Sequence, residues 1–381
     1  MSSETMARWR WHALALLFLL AVGALRWNGA LRDPRLAVDE SDYTAAFTAI
    51  SHGENPYEVP RFIYPPAFAV VGAAAAERWG EMPLVYAFRV LNLLGAAVLI
   101  WLSLSITSWS YRIRVGLGAA LIALWAPIHQ GIDCGNISLA VIGLTLAAMA
   151  AIELRSGAAI AGLGLGLGLV IKPLAPAVLA LLGPWRSSTG KRVGRRVAAL
   201  AALTAAALSL ALGRSLLPVW LAKTGGHLPN GHTVSLWRLL FCVGIDVRPA
   251  LLLVVVLAVT VPWVWKRELS SSQFLVVATT ATLYSLPLVW THTLAFSLPA
   301  QLAAFDRALS GSAASGESDR RQRRFALAIL AALALSIQGS EALVAINNRS
   351  LLIQALYLAP AVLAPAAFAV YALRGRVPRA G

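Results

Sequence analysis

Apolar runs of about 20 residues follow one another along this chain, divided by short polar connections, and that length is what an α-helix needs to cross a bilayer core. The first run, Trp11 to Trp27, follows Arg8 and Arg10. Beyond Gly190 the runs come in pairs, at about 197–221 and 250–265, 271–289 and 292–305, and 325–345 and 351–373. The basic stretches GKRVGRR (Gly190 to Arg196), WKRE (Trp265 to Glu268), DRALSGSAASGESDRRQRR (Asp306 to Arg324) and RGRVPR (Arg374 to Arg379) border these pairs. Retention of Lys and Arg on the cytoplasmic side places those stretches and both termini inside. SYRIR (Ser110 to Arg114) should also lie inside, yet six uninterrupted spans before Gly190 would put it outside. Reading YPPAFAVVGAAAAERWG as a short re-entrant or tilted helix, and breaking the 158–184 segment at the prolines of IKPLAP, removes the conflict. The pattern then predicts about 10 to 13 membrane helices.

Composition agrees with this reading. Hydrophobic residues make up 59% of the chain and charged ones 13%, and the mean hydropathy is +0.71, too little polar surface to coat a soluble globule of 381 residues. Backbone hydrogen bonding in lipid excludes open sheets, so the expected class is an all-α polytopic membrane protein with one domain over 1–381. The net charge of +15 resides in clusters at the ends of apolar runs, the positive-inside pattern and not a nucleic-acid surface. Cys134 and Cys242 form neither a disulfide framework nor a metal motif. The first 25 residues have signal-peptide character without a clear cleavage motif, so they are expected to remain as the first helix. GAAIAGLGLGLGLVIKP contains overlapping GxGxxG spacings, but inside an apolar run its glycines suit close helix packing better than a phosphate loop. Residues 306–324 read as a flexible cytoplasmic linker.

Candidate chemistry gathers on the side opposite the basic stretches. The connection 28–66 carries Asp39, Glu40 and Asp42, where a carboxylate could act as a general base or simply be solvated. Tyr43, Ala46, Phe47 and Ile50 recur at helical spacing, which predicts an amphipathic helix lying on the membrane. Tyr57 and Tyr64 could stack on sugars or belong to the interfacial aromatic belt. Lys172, beside Pro173 in an apolar run, could grip a phosphate or snorkel to headgroups. GGHLPNGHTVSLWR (Gly225 to Arg238) offers His227, His232 and Arg238; two histidines without a third ligand make a weak zinc signal, and Arg238 could meet a lipid phosphate. His292 follows Trp290 at the outer end of two spans, where a structural role is the commoner one.

Taken together these residues resemble glycosyltransferase family 87, polytopic enzymes of the GT-C superfold. The similarity rests on Asp39, Tyr43, Ala46, Gly53, Pro56-Tyr57 and Tyr64-Pro65-Pro66 in the first outer connection, and on Gly135 to Ser138 against a Gly-Gln-x-Asn motif. It continues through Lys172 and Pro173, Thr233 to Trp237, and Leu286 to His292. Asn136 stands where the family has Gln, Ser138 and Thr233 where it has Asn, and one histidine follows Trp290 where the family often has two. The resemblance implies an inverting transfer of a hexose or pentose, mannose first, from a polyprenyl-phosphate sugar to a hydroxyl of a lipid-linked or glycan acceptor. It implies Asp39 as general base, Lys172, Arg238 and His292 on the donor phosphate, and Asp42, Tyr43, Tyr57, Tyr64, Asn136, His232 and Trp290 at the substrates. No metal or other cofactor and no nucleic acid enters this scheme; membrane lipids do, with the active site outside the plasma membrane. A lipid or sugar transporter, which also uses proline-broken helices, and a non-catalytic scaffold subunit are the alternatives.

Overall fold

The computed structural model describes residues 3–153, 189–225, 235–245, 247–266, 269–285, 291–309 and 350–373, with positions 159, 162, 163, 165 and 327. Every regular element among them is helical, as expected for an all-α polytopic membrane protein. Two helices, Glu81–Ser105 and Leu351–Leu373, are long and apolar enough to cross a bilayer, and two bent pairs bring the number to as many as four among the described residues. Apart from positions 159, 162, 163, 165 and 327, the spans expected within 158–184 and 325–345 fall outside the described residues.

The chain divides into two compact units, 1–101 with 115–228 and 102–114 with 229–381. The first unit opens with α1 (Ser3–Arg26) and α2 (Asn28–Arg32), followed by α3 (Val38–Ser51) and a 3-10 turn at Pro56–Glu58. Next come α4 (Pro66–Trp79), α5 (Glu81–Ser105, whose last turn passes into the second unit), α6 (Tyr111–Leu124), α7 (Ala126–Asp133) and α8 (Ser138–Glu153). Helices α9 (Thr189–Leu212) and α10 (Leu217–Gly225) complete it. The amphipathic helix expected after Asp39 is α3, but its apolar face is not left for lipid. Tyr43, Ala46 and Phe47 are buried, and α3 packs on α4, the Phe47 ring lying so close to Gly72 that no Cβ fits there. As expected, the segment after Pro65-Pro66 is short, 14 residues, with proline at its first helical position. α5 and α8 cross at Gly95 and Gly143, where a Cβ on either glycine would run into backbone of the other helix.

Two breaks bend apolar segments, and the first departs from an expected span. The segment expected as one span over 197–221 turns by 99° between Leu212 and Leu217, with Gly213 against Pro66 and Pro218 in the first turn after the bend. Tyr111–Leu124 and Ala126–Asp133 meet at 46° just before Pro127, whose ring and missing N–H suit a first turn and not a helix interior.

The second unit holds α11 (Leu236–Cys242), α12 (Pro249–Lys266), α13 (Ser271–Ser285), a 3-10 segment at Thr291–Ser297, α14 (Leu298–Leu309) and α15 (Leu351–Leu373). The span expected over 292–305 is thus a 3-10 turn followed by a 12-residue helix. The linker expected over 306–324 does not start at Asp306, which lies in α14; residues 310–324 are outside the described residues. Asp306 is buried in α14 and its carboxylate accepts the Ser108 N–H at 3.0 Å and hydroxyl at 2.6 Å, so helix and buried hydrogen bonds extend past the point where composition turns polar. In α15 the Tyr284 hydroxyl bridges the ladder beside Pro365, donating to the Val362 carbonyl and accepting from the Ala366 N–H.

One buried ion pair ties the connection 28–66 to α5. Arg89, in the third turn of α5, donates from Nε and Nη2 to the Glu40 carboxylate at 2.7 and 2.6 Å; both residues are buried. Its remaining donors reach the carbonyls of Ala30, Asp33 and Arg35, so one guanidinium fixes the chain on the N-terminal side of α3 at four residues. Removing one partner strands a buried charge, which costs about 3–5 kcal/mol. Arg89→Met is therefore expected to lower unfolding stability in detergent by about that amount; a loss under about 1 kcal/mol in denaturant titration would refute the assignment of Arg89 as the anchor.

Candidate active site

Asp39 is the second residue of α3, and the turn that ends α7 is built to meet it. Cys134 N–H bonds to Gln130, Gly135 N–H to Ile132 and Asn136 N–H to Gly131, closing α7 with a left-handed residue at Gly135, φ +69°. A side chain at 135 would be strained by that φ, and its Cβ would also lie 2.5 Å from Glu40 Cγ. The turn presents the Cys134 carbonyl to the Asp39 N–H at 3.0 Å and delivers Asn136 to the Asp39 carboxylate.

The orientation of the Asn136 amide is fixed from both ends. Its Oδ1 accepts from the Ser138 N–H at 2.9 Å and from the Ser138 hydroxyl, an Asx turn leading into α8. Its NH2 therefore faces Asp39 Oδ2 at 2.7 Å and the Tyr64 oxygen at 3.3 Å. Tyr64 in turn shares a 2.7 Å hydrogen bond with Tyr43, whose oxygen accepts the Ile137 N–H at 3.3 Å. Burial pushes the Tyr43 phenol well above its ordinary range, with Tyr64 and Asp39 adding to the shift; burial and then Asp39 do the same to Tyr64. Both phenols are therefore protonated at neutral pH. The T-shaped stacking of Tyr43 on Tyr64 and Phe68 holds the hydroxyls in place.

The other acids have different tasks. Glu40 accepts the Ala37 N–H at 2.8 Å, filling the acidic half of a capping box while it binds Arg89. Asp42 pairs with Arg61 at 2.9 Å. Neither is the freely solvated loop acid that the sequence allows. Tyr57 is buried, and its hydroxyl donates to the Tyr64 carbonyl at 3.0 Å, so it supports the Tyr64 backbone. From α10, across the 99° bend, Lys223 donates to the carbonyls of Tyr57 and Val59 at 2.6 Å each, and the Trp220 indole to that of Ile63.

Of the residues singled out in the sequence, the structure gathers Asp39, Tyr43, Tyr64 and Asn136 into one network, with Asp42 and Tyr57 in the same connection. Arg238 belongs to the second unit, buried on α11, and donates to Gln354 at 2.7 Å. Lys172, His232 and Trp290 lie outside the described residues; His292 is placed only as backbone within Thr291–Ser297. Arg89, Arg61 and Lys223 are not among the residues singled out in the sequence, and Ser138 enters there only as a motif position. Arg89 carried a signal, a lone charge inside the apolar run VYAFRVLNLL.

The model of glycosyltransferase family 87 matches residues 62–287, more than half of the chain. The chain belongs to glycosyltransferase family 87. No curated protein and no solved structure matches it. As a member of the family it is a membrane glycosyltransferase. The family 87 match contains Tyr64, Asn136 and Lys172, and begins after Asp39 and Tyr43.

An Asn136→Asp substitution would set two carboxylates at hydrogen-bonding distance, where like charges share one proton and an acid's apparent pKa rises. The folded state would then bind more protons than the unfolded state near neutrality, so stability would increase as pH falls. The variant's thermal midpoint in detergent is expected to climb from pH 8 to pH 5 relative to the wild type; parallel curves would show that the two side chains do not meet.

Proposed function

We propose that this glycosyltransferase moves a hexose or pentose, mannose first, from a polyprenyl-phosphate sugar to a hydroxyl of a lipid-linked or glycan acceptor, with inversion and with Asp39 as general base. The observation that carries the reading is the cradle of Asp39: a fixed amide NH2 on Oδ2 favours the ionised carboxylate, the form that accepts a proton. A GT-C arrangement, with the site on the outer face of the plasma membrane and both termini in the cytoplasm, accords with the basic stretches of the sequence.

In the reaction the acceptor oxygen attacks the anomeric carbon as the bond from that carbon to the phosphate oxygen breaks. The hydroxyl proton passes to Asp39 and the electron pair leaves with the phosphate. Positioned general bases contribute roughly 10²–10⁴-fold. Phosphate departs without a strong acid, so its growing charge calls for cations, the role assigned to Lys172, Arg238 and His292. His232 and Trp290 are assigned to the substrates, as are Asp42, Tyr43, Tyr57, Tyr64 and Asn136. Lipid-tailed substrates explain why the fold is a membrane one: a site at the bilayer boundary spares the cost of extracting an acyl or prenyl chain, about 0.8 kcal/mol for each CH2.

Asp39→Asn keeps the side-chain shape and removes the base. Transfer from a polyprenyl-phosphate sugar is expected to fall by at least about 10²-fold with the thermal midpoint preserved; retained turnover would refute Asp39 as base. Lys172→Ala should raise the donor KM more than it changes the thermal midpoint, and an unchanged donor KM would return Lys172 to a structural role.

A further inference from the structure

The direction of each hydrogen bond around Tyr64 can be worked out by counting donors. The Tyr43 oxygen accepts from the Ile137 N–H, and Tyr43 is 1% exposed, so among the described residues the acceptor its own proton reaches is the Tyr64 oxygen. A buried hydroxyl left without an acceptor would cost as much as a lost hydrogen bond, so Tyr43 donates to Tyr64. Asn136 has only protons to offer from Nδ2, so it also donates to Tyr64. The Tyr64 oxygen thus accepts two hydrogen bonds, and neither neighbour can take its proton. Tyr64 is partly exposed, and its phenol is kept protonated by burial and by Asp39. One amide nitrogen therefore spaces an acceptor, Asp39, from a donor, the Tyr64 O–H.

A hydroxyl group is the complement of that pair, since it carries one proton to give and lone pairs to receive. We propose that Tyr64 donates a hydrogen bond to the oxygen of the acceptor hydroxyl whose proton Asp39 removes, and so selects and orients the nucleophile. This rests on Asp39 as the base. In the attack one lone pair of the acceptor oxygen forms the new bond to the anomeric carbon, another accepts from Tyr64, and the proton goes to Asp39; Tyr64 keeps its own proton throughout. Asn136 is a positioning residue, locked by Ser138, that sets the spacing between Asp39 and Tyr64.

The test uses the full-length protein in detergent, a polyprenyl-phosphate mannose donor and an alkyl mannoside as acceptor, with transfer and donor hydrolysis measured together. Tyr64→Phe keeps the ring and its stacking and removes only the hydroxyl. Acceptor KM is expected to rise at least tenfold with donor KM near the wild-type value, and transfer should fall relative to hydrolysis, because water needs less orientation than a sugar. Unchanged acceptor KM, or equal loss of transfer and hydrolysis, would overturn the proposal and leave Tyr64 structural. Should the Phe variant fail to fold, Tyr64→3-fluorotyrosine keeps the hydroxyl and makes it a stronger donor; acceptor KM should then drop, and no change overturns the proposal. Asp39→Asn run alongside separates the two levels. If it stays active, the base assignment fails and this proposal with it; if it is inactive while Tyr64→Phe has wild-type acceptor KM, only the hydroxyl pairing fails.

Discussion

The buried ion pair between Glu40 and Arg89 is the constraint from which the geometry of the first unit follows. A bidentate carboxylate–guanidinium contact within a helix apolar enough to cross a membrane is costly to form and more costly to half-remove. Its value lies less in net stability than in register. Arg89 spends its other donors on the carbonyls of Ala30, Asp33 and Arg35, so the entry to α3 cannot slide or rotate without stranding a charge. Gly135 presses on the same glutamate from the other side, so the ion pair also sets where the turn after α7 can lie.

Three acids within four residues divide the work, and the division is electrostatic. Glu40 occupies the cap of α3 and neutralises Arg89; Asp42 neutralises Arg61. Asp39 accepts from the neutral amide of Asn136, and a hydrogen bond of that kind supports an ionised carboxylate. The same neutrality extends to Tyr64 and Tyr43, whose phenols stay protonated because burial and the neighbouring carboxylate both oppose a second negative charge.

The far side of the connection is held by backbone contacts from α10. Lys223 and Trp220 spend their polar groups on the carbonyls of Tyr57, Val59 and Ile63, in a stretch with no regular helix of its own beyond three residues. These contacts exist because the chain turns through 99° after Leu212. A straight helix over the same apolar residues would carry Lys223 away along its axis. Rigid support of this kind is what precise placement of a reacting group demands.

How much of this could be read from the sequence follows from the range of each interaction. Apolar run length, the absence of polar coating, and the i, i+4 recurrence of Tyr43 and Phe47 are local properties, so the helical membrane class and α3 were legible, as was the kinship, whose family match takes in Tyr64-Pro65-Pro66 and Gly135. Proline and glycine mark where helices break but not by how much; the bend after Leu212 depends on Gly213 meeting Pro66, more than a hundred residues away. Which acid faces an amide and which a guanidinium is likewise invisible in a string where Asp39, Glu40 and Asp42 look alike. Pairing is decided by the long-range docking of α5 and of the turn after α7 on α3, because the free energy of a buried charge depends on partners that the chain brings together only when it folds.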